Sequence, residues 1–166
     1  TNKEFCKELI RKHKVMGREP IFAGAVWTFM GMGTNYGITL RSSEGSLEAC
    51  KEEGVREVFV CTWFDDGAEN NLYSALLGFQ FYAEHGYSGK VDAGKLKRRF
   101  EFCTGMNYEA FISLKYLDET PGVSTDNLEF ANPSKYLLWQ DILMGLFDRH
   151  IKGLNLSEHY KWLRNK

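Results

Sequence analysis

The 166-residue sequence predicts an α/β segment followed by an all-α one. Three observations point there. Two short apolar runs, residues 20–27 and 58–63, are bounded by turn residues and read as strands buried on both faces. A helical stretch lies between them, so two parallel strands and a crossover helix make a βαβ unit. From Tyr87 onward only helical patterning remains.

Composition narrows the class. At 43% hydrophobic and 26% charged residues the chain is globular rather than disordered. No run of about 18 apolar residues exists, which excludes a hydrophobic membrane-spanning helix. The 21 basic and 22 acidic residues nearly cancel, which argues against nucleic-acid binding as the main business. The start, Thr1–Cys6, is polar and helical in character rather than a signal peptide. The missing initiator Met is what a cut piece of a longer protein would show.

The elements follow in order. Residues 3–14 form a helix with Phe5, Leu9 and Ile10 near one face, ended by Met16-Gly17. After the first strand, Gly31–Gly37 is a glycine-bearing, flexible loop. Ser43 is placed to cap the next helix, with Leu47 and Cys50 inward and Gly54 as its stop. The acidic loop Asp65-Asp66-Gly67 leads into a helix from about Ala68 to His85. Leu72, Leu76 and Phe79 share one face of it, with Tyr73, Leu77 and Phe81 beside them, so it is expected to be heavily buried. Two strands alone leave both sheet edges unpaired, so more chain or another subunit must cover them.

Asp92 caps a helix to about Cys103, with Gly105 as its stop. Asn107 caps another, carrying Phe111, Leu114 and Tyr116–Leu117, which Pro121-Gly122 breaks. Asn132-Pro133 is an N-cap followed by proline at the first helical position. The helix after it runs to about Ile151, with Leu138, Ile142 and Leu146 at a spacing of four, flanked by Trp139, Leu143 and Phe147. Ser157 caps a last short helix carrying Trp162.

The four cysteines, Cys6, Cys50, Cys61 and Cys103, show no C-x-x-C spacing. The last three lie in apolar contexts and read as buried free thiols, which suits a reducing, cytoplasmic setting. Two disulfides remain the other reading of an even count. His13, His85 and His150 fall late in helices, where an imidazole meets C-terminal carbonyls. No histidine lies three or four residues from another, so no helical metal pair is visible, and neither cofactor nor metal is expected.

Three stretches could carry chemistry. Gly31-x-Gly33-x-x-x-Gly37 has some of the look of a dinucleotide fingerprint, but Tyr36 stands where the third glycine belongs, and it fails its strand-to-helix context. Trp63-Phe64-Asp65-Asp66-Gly67-Ala68-Glu69 lies at the C-terminal end of the second strand, the end where α/β folds bind ligands. Trp63 offers a flat apolar face for a sugar ring, and Asp65 can accept hydrogen bonds from sugar hydroxyls. The plainer alternative makes Trp63 core and Asp65 or Asp66 a helix cap. At the matching end of the first strand, Trp27 and Phe29 alternate and can face one side, or simply pack under the loop. The basic residues Lys95, Lys97, Arg98 and Arg99 share a helix with inward Leu96 and Phe100, and read as a solvated face. Nothing resembles a Ser-His-Asp or Cys-His arrangement.

Residues Ile21–Gly31, Ala49–Lys51 with Glu57–Val60, and Thr62–Glu69 together resemble the last two strands of the bacterial β-N-acetylhexosaminidases of glycoside hydrolase family 20. The similar branch has a helical C-terminal domain, which Asn132–Asp141 and Gly145–His150 also resemble. The most specific stretches are Trp-x-Asp-Asp-Gly-x-Glu and Asn-Pro-Ser-Lys. Ala25, Phe29 and Phe64 depart from the pattern, standing where Gly, Trp and Gly are expected.

The resemblance implies the last two βα units of a (β/α)8 TIM barrel in residues 1–87 and a helical C-terminal domain in residues 88–166. It implies a substrate-assisted, retaining glycosidase in which the sugar's own acetamido oxygen attacks the anomeric carbon, an exception to the two-carboxylate scheme. The family's adjacent Asp-Glu pair follows the fourth strand, so Asp65-Asp66 is not that pair and no catalytic residue is expected in this chain. By the match, Trp63 lines the pocket for the terminal N-acetyl sugar, Asp65 binds its outer hydroxyls, and Trp27 corresponds to an aromatic of the seventh strand. The expected partners are glycans ending in N-acetylglucosamine or N-acetylgalactosamine, the missing N-terminal part of the same protein, and a second copy through self-association, with no nucleic acid and no membrane. The chain alone is expected to be inactive. The competing expectation is a non-catalytic carbohydrate-binding or interaction module.

Overall fold

The computed structural model describes residues 3–64, 69–135 and 151–166. Helix α1 (Lys3–Val15) precedes β1 (Phe22–Val26), α2 (Tyr36–Glu52) and β2 (Val58–Thr62). A 3-10 turn at Leu72–Ala75 opens into α3 (Leu76–Ser88). Then come α4 (Ala93–Thr104), α5 (Tyr108–Ser113) with a 3-10 turn at Leu114–Leu117, and α6 (Leu156–Arg164). The result is a mixed, mainly helical chain around a small sheet.

The sheet is the expected βαβ unit. β1 and β2 pair in parallel, with Phe22 opposite Val58 and Val26 opposite Thr62, and α2 makes the crossover. Burial on both faces is not what the structure shows. Gly24 and Val26 are buried, packed against Tyr82 and Gly78 of α3, and Val60 joins the same core. On the opposite face Ala23 is exposed and Phe59 is 53% exposed. The helices that pack on the sheet cover one face, and among the described residues nothing layers the other. An apolar run reads the same whether or not a second layer is present to cover it.

The core gathers Tyr36 and Leu47 from α2, Leu77, Phe81 and Tyr82 from α3, and Leu96 and Phe100 from α4. Phe100 meets Phe111 of α5 edge-on at 4.7 Å between ring centroids, a favoured aromatic geometry. As expected, Leu96 and Phe100 point inward, and the basic face of α4 pairs outward: Lys97 with Glu109 and Arg99 with Glu84, each at 2.7 Å. Helix α1 is held on α2 by charge as well as by Ile10. Arg11 reaches Glu53 at 2.6 Å, and Lys3 and Lys7 both bond Glu52, holding its carboxyl down to about 2.

Helix starts differ from expectation in four places. Helix α2 begins at Tyr36, capped by Asn35, whose Oδ1 accepts from the Ile38 N–H at 3.1 Å. Ser43 lies inside α2 and shares a hydrogen bond with the Tyr82 hydroxyl at 2.8 Å. The buried loop before it hid the helix start. The helix placed at Ala68 begins instead through the 3-10 turn capped by Asn71, which leaves Leu72 and Tyr73 exposed rather than buried. Asn155, not Ser157, caps α6. At residue 133, Asp118 rather than Asn132 accepts the free Ser134 N–H at 2.9 Å, and Asn132 Oδ1 has no partner among the described residues. The expected caps Asp92 and Asn107 accept from Lys95 and Ala110, as predicted.

The helix expected to run on to Ile151 lies mostly outside the described residues, with Leu138, Trp139, Ile142, Leu143, Leu146, Phe147 and His150. All four cysteines are free. Cys50 is buried and Cys61 partly so, but Cys103 is exposed, because the apolar neighbour that suggested burial, Phe102, itself faces solvent. His13 Nδ1 lies 2.9 Å from the Leu9 carbonyl oxygen in the last turn of α1, and His85 is buried in the last turn of α3. Among the described residues no helix is long and apolar enough to cross a membrane, and no group of three or more His, Cys, Asp or Glu could hold a metal.

Candidate functional site

The loops leaving β1 and β2 are tied together by Thr28. Its Oγ1 donates to the Trp63 carbonyl at 3.0 Å, and its own carbonyl accepts from Asn70 Nδ2 at 3.0 Å. Asn70 Oδ1 in turn accepts from Ser74 Oγ at 2.6 Å, Ser74 Oγ meets Thr34 Oγ1 at 2.6 Å, and the Tyr36 hydroxyl donates to the Ser74 carbonyl. Burial raises the Tyr36 phenol well above its usual range, keeping it a neutral donor. This chain of buried hydroxyls and amides fixes the strand ends to the start of α2 and to the 3-10 turn before α3.

The two tryptophans sit differently. Trp27 is committed to packing. Its Nε1 donates to Ser42 Oγ at 3.2 Å, its N–H to Thr39 Oγ1 at 3.0 Å, and its ring lies 4.9 Å from Phe29 and 5.3 Å from Phe130. Beside it, a cavity of only 60 Å³ opens between Ile38, Arg41 and Phe130, about the room two waters occupy and too small for a sugar ring. Trp63 is 50% exposed at the end of β2. The two indoles make no ring contact with each other. Asp65 lies outside the described residues.

The glycine loop is packed into the fold rather than lying free on the surface. Met30, Gly31, Gly33, Thr34 and Asn35 are buried. A Cβ at Gly31 would run into Asp118, and one at Gly33 would come within 2.6 Å of Leu117. These glycines let the segment 114–118 approach the backbone closely.

The residues that hold this seam carry no motif. Asp118 is 2% exposed, and burial pushes its carboxyl up to about 6 against the opposing pull of its hydrogen bonds with Ser134 and the charge of Lys135. Ser134 Oγ accepts from the Met32 N–H at 3.1 Å. Lys135 Nζ lies 3.4 Å from Glu69 Oε2. That ion pair joins the two stretches with the most specific family resemblance, Trp63–Glu69 and Asn132–Lys135. Their opposite terminal charges were the one available signal for it. Nothing in the sequence pointed to Asp118, Thr28 or Asn70. Further out, Lys115 sits between Glu119 at 3.2 Å and Asp126 at 3.4 Å, with Arg41 at 3.8 Å from Asp126, pinning the same segment to the start of α2.

Comparison with known proteins adds one finding for the C-terminal part. No curated protein matches the chain. Residues 109–166 match the family model described as the Glycoside Hydrolase 20C C-terminal domain, a segment that includes Asp118, Ser134 and Lys135. Residues 109–166 are thus similar to the C-terminal domain of family 20 glycoside hydrolases, the family that residues 63–69 and 132–135 also resemble.

Proposed function

We propose that the chain is the C-terminal part of a β-N-acetylhexosaminidase, a hydrolase that removes terminal β-linked N-acetylglucosamine or N-acetylgalactosamine from glycans by substrate-assisted retaining hydrolysis. Residues 1–87 are the last two βα units of its barrel, and residues 88–166 its helical C-terminal domain. Trp63 supplies an apolar face and Asp65 a hydroxyl acceptor for the terminal sugar, while Trp27 shapes the wall behind them. The catalytic Asp-Glu pair belongs to the preceding strands of the same protein, which works in the cytoplasm. The observation that carries this reading is the family match over residues 109–166. The uncovered face of the sheet supports it, since strands of a closed barrel bury both faces only when the barrel is complete.

A chromogenic N-acetylglucosaminide tests it. The purified 166-residue chain is expected to show no turnover, and the longer reading frame that encodes it to hydrolyse the substrate with retention of configuration. Turnover by the short chain, or none by the long one, overturns the reading. A monodisperse short chain that binds N-acetylglucosamine, paired with an inactive long one, would instead establish a non-catalytic sugar-binding module.

A further inference from the structure

The stretch Asn132–Lys135 reaches both loops that leave the sheet. On the β1 side, Ser134 Oγ accepts the Met32 N–H at 3.1 Å, while the Ser134 N–H is itself held by Asp118 Oδ1 at 2.9 Å. On the β2 side, Lys135 meets Glu69 at 3.4 Å, with only 11% of the lysine side chain and 14% of the glutamate side chain exposed. The fit is close: a Cβ at Gly31 would stand 3.0 Å from Ser134 Oγ. One residue past Glu69, Asn70 bonds the Thr28 carbonyl, so the same pair of loops is clamped again from the sheet side.

Loops are ordinarily the mobile part of a fold, and a binding site built on them needs outside support to hold its geometry. Here the support comes from two adjacent residues, so both loops are tied to one short stretch of chain. A buried ion pair adds little net stability over apolar packing, but breaking one partner is costly, which suits a role in placement. We infer that Ser134 and Lys135 are positioning residues, fixing through Met32 and Glu69 the two loops that carry Trp27 and Trp63, so that the stretch Asn132–Lys135 is a working part of the sugar subsite. The inference rests on the sugar-binding role proposed for those loops.

Two measurements test it. The first is hydrogen exchange on the 166-residue chain. Lys135→Met is expected to raise exchange in peptides covering 63–72 about tenfold, and Ser134→Ala to do so in peptides covering 28–35, with α4 peptides unchanged. Exchanging the charges, Glu69→Lys with Lys135→Glu, should bring residues 63–72 back toward the parent rate. This double variant, and the small Ser134→Ala change, keep the test open if Lys135→Met unfolds. Unchanged exchange in both loops, or an equal rise across the whole chain, overturns the inference.

The second measurement is steady-state kinetics of the longer enzyme on whichever glycoside it hydrolyses. Lys135→Met should raise KM about tenfold and leave kcat within about twofold, because binding alone is loosened. A loss in kcat with KM unchanged overturns it. Exchange needs no sugar, so a failure of the hexosaminidase reading shows as the wrong substrate, whereas a failure of this inference shows as loops indifferent to Ser134 and Lys135.

Discussion

Tyr82 lies directly across Gly24, so that a methyl group at position 24 would fall inside the phenol. Its hydroxyl is anchored on the far side by Ser43 at 2.8 Å, so the ring has no easy retreat. Gly24→Ala is therefore expected to destabilise the chain by about 1–3 kcal/mol through overpacking. The urea midpoint measures it, and a midpoint equal to the parent's would mean the ring moves freely.

The two tryptophans should separate cleanly in a melting experiment. Trp27 holds Ser42 and two aromatic rings, so Trp27→Ala should cost about 2–4 kcal/mol. Trp63 is half exposed, and Trp63→Ala should stay within about 0.5 kcal/mol while removing the face proposed for the sugar. The reverse order would place the ligand face on Trp27.

Caps offer a direct check on where α2 starts. Asn35→Ala should cost about 1–2 kcal/mol, since the Ile38 N–H would lose its acceptor in a buried setting. Ser43→Ala should cost less than that, because it removes only a hydroxyl pairing with Tyr82 inside the helix. Calorimetry of the two variants ranks them.

Two buried groups pull stability in opposite directions with pH. Burial, helped by the Lys51 charge, lowers the His85 pKa from its ordinary 6.5. The folded state then binds fewer protons than the unfolded one, so this contribution is complete above pH 6.5 and is lost on acidification. Burial raises the Asp118 pKa from 3.8 to about 6. That folded state holds the extra proton, so its contribution is complete below pH 3.8 and is lost as pH rises through 6. Asp118→Asn, which keeps an acceptor for Ser134, should flatten the second dependence and leave the chain at least as stable as the parent at pH 7. Denaturant midpoints across pH 4–7.5 resolve the two, and an Asp118→Asn profile parallel to the parent's would refute the assignment.

What was legible in the sequence was local. Gly17, Gly54 and Gly105 announce helix ends, and each has the positive φ that such an end requires. Asp92 and Asn107 announce starts, because a short polar side chain before an apolar period has one common use there. The parallel strand pair followed from two apolar runs around a helix. What stayed hidden depends on partners distant in the chain. Ser43 and Asn35 are both competent caps, and only the Tyr82 hydroxyl waiting beside one of them decides which is used. Asp118 looks like any surface aspartate until residues 31 and 134 close over it. The candidate site was legible as a pair of strand ends, but not as a pair of loops held from the C-terminal side, because that requires knowing where Lys135 lands.

The uncovered face of the sheet gives the molecule a built-in chemical reporter. Cys61 alternates with Phe59 along β2 and is partly accessible there, while Cys103 is open to solvent and Cys50 is buried with its thiol pushed up to about 11. A thiol reagent should thus find a fast site at Cys103, two intermediate ones at Cys6 and Cys61, and a silent one at Cys50. Whatever layer completes that face, the Cys61 rate should fall as it docks while Cys103 keeps time as an internal clock. Assembly of the sheet can then be followed without any label being introduced.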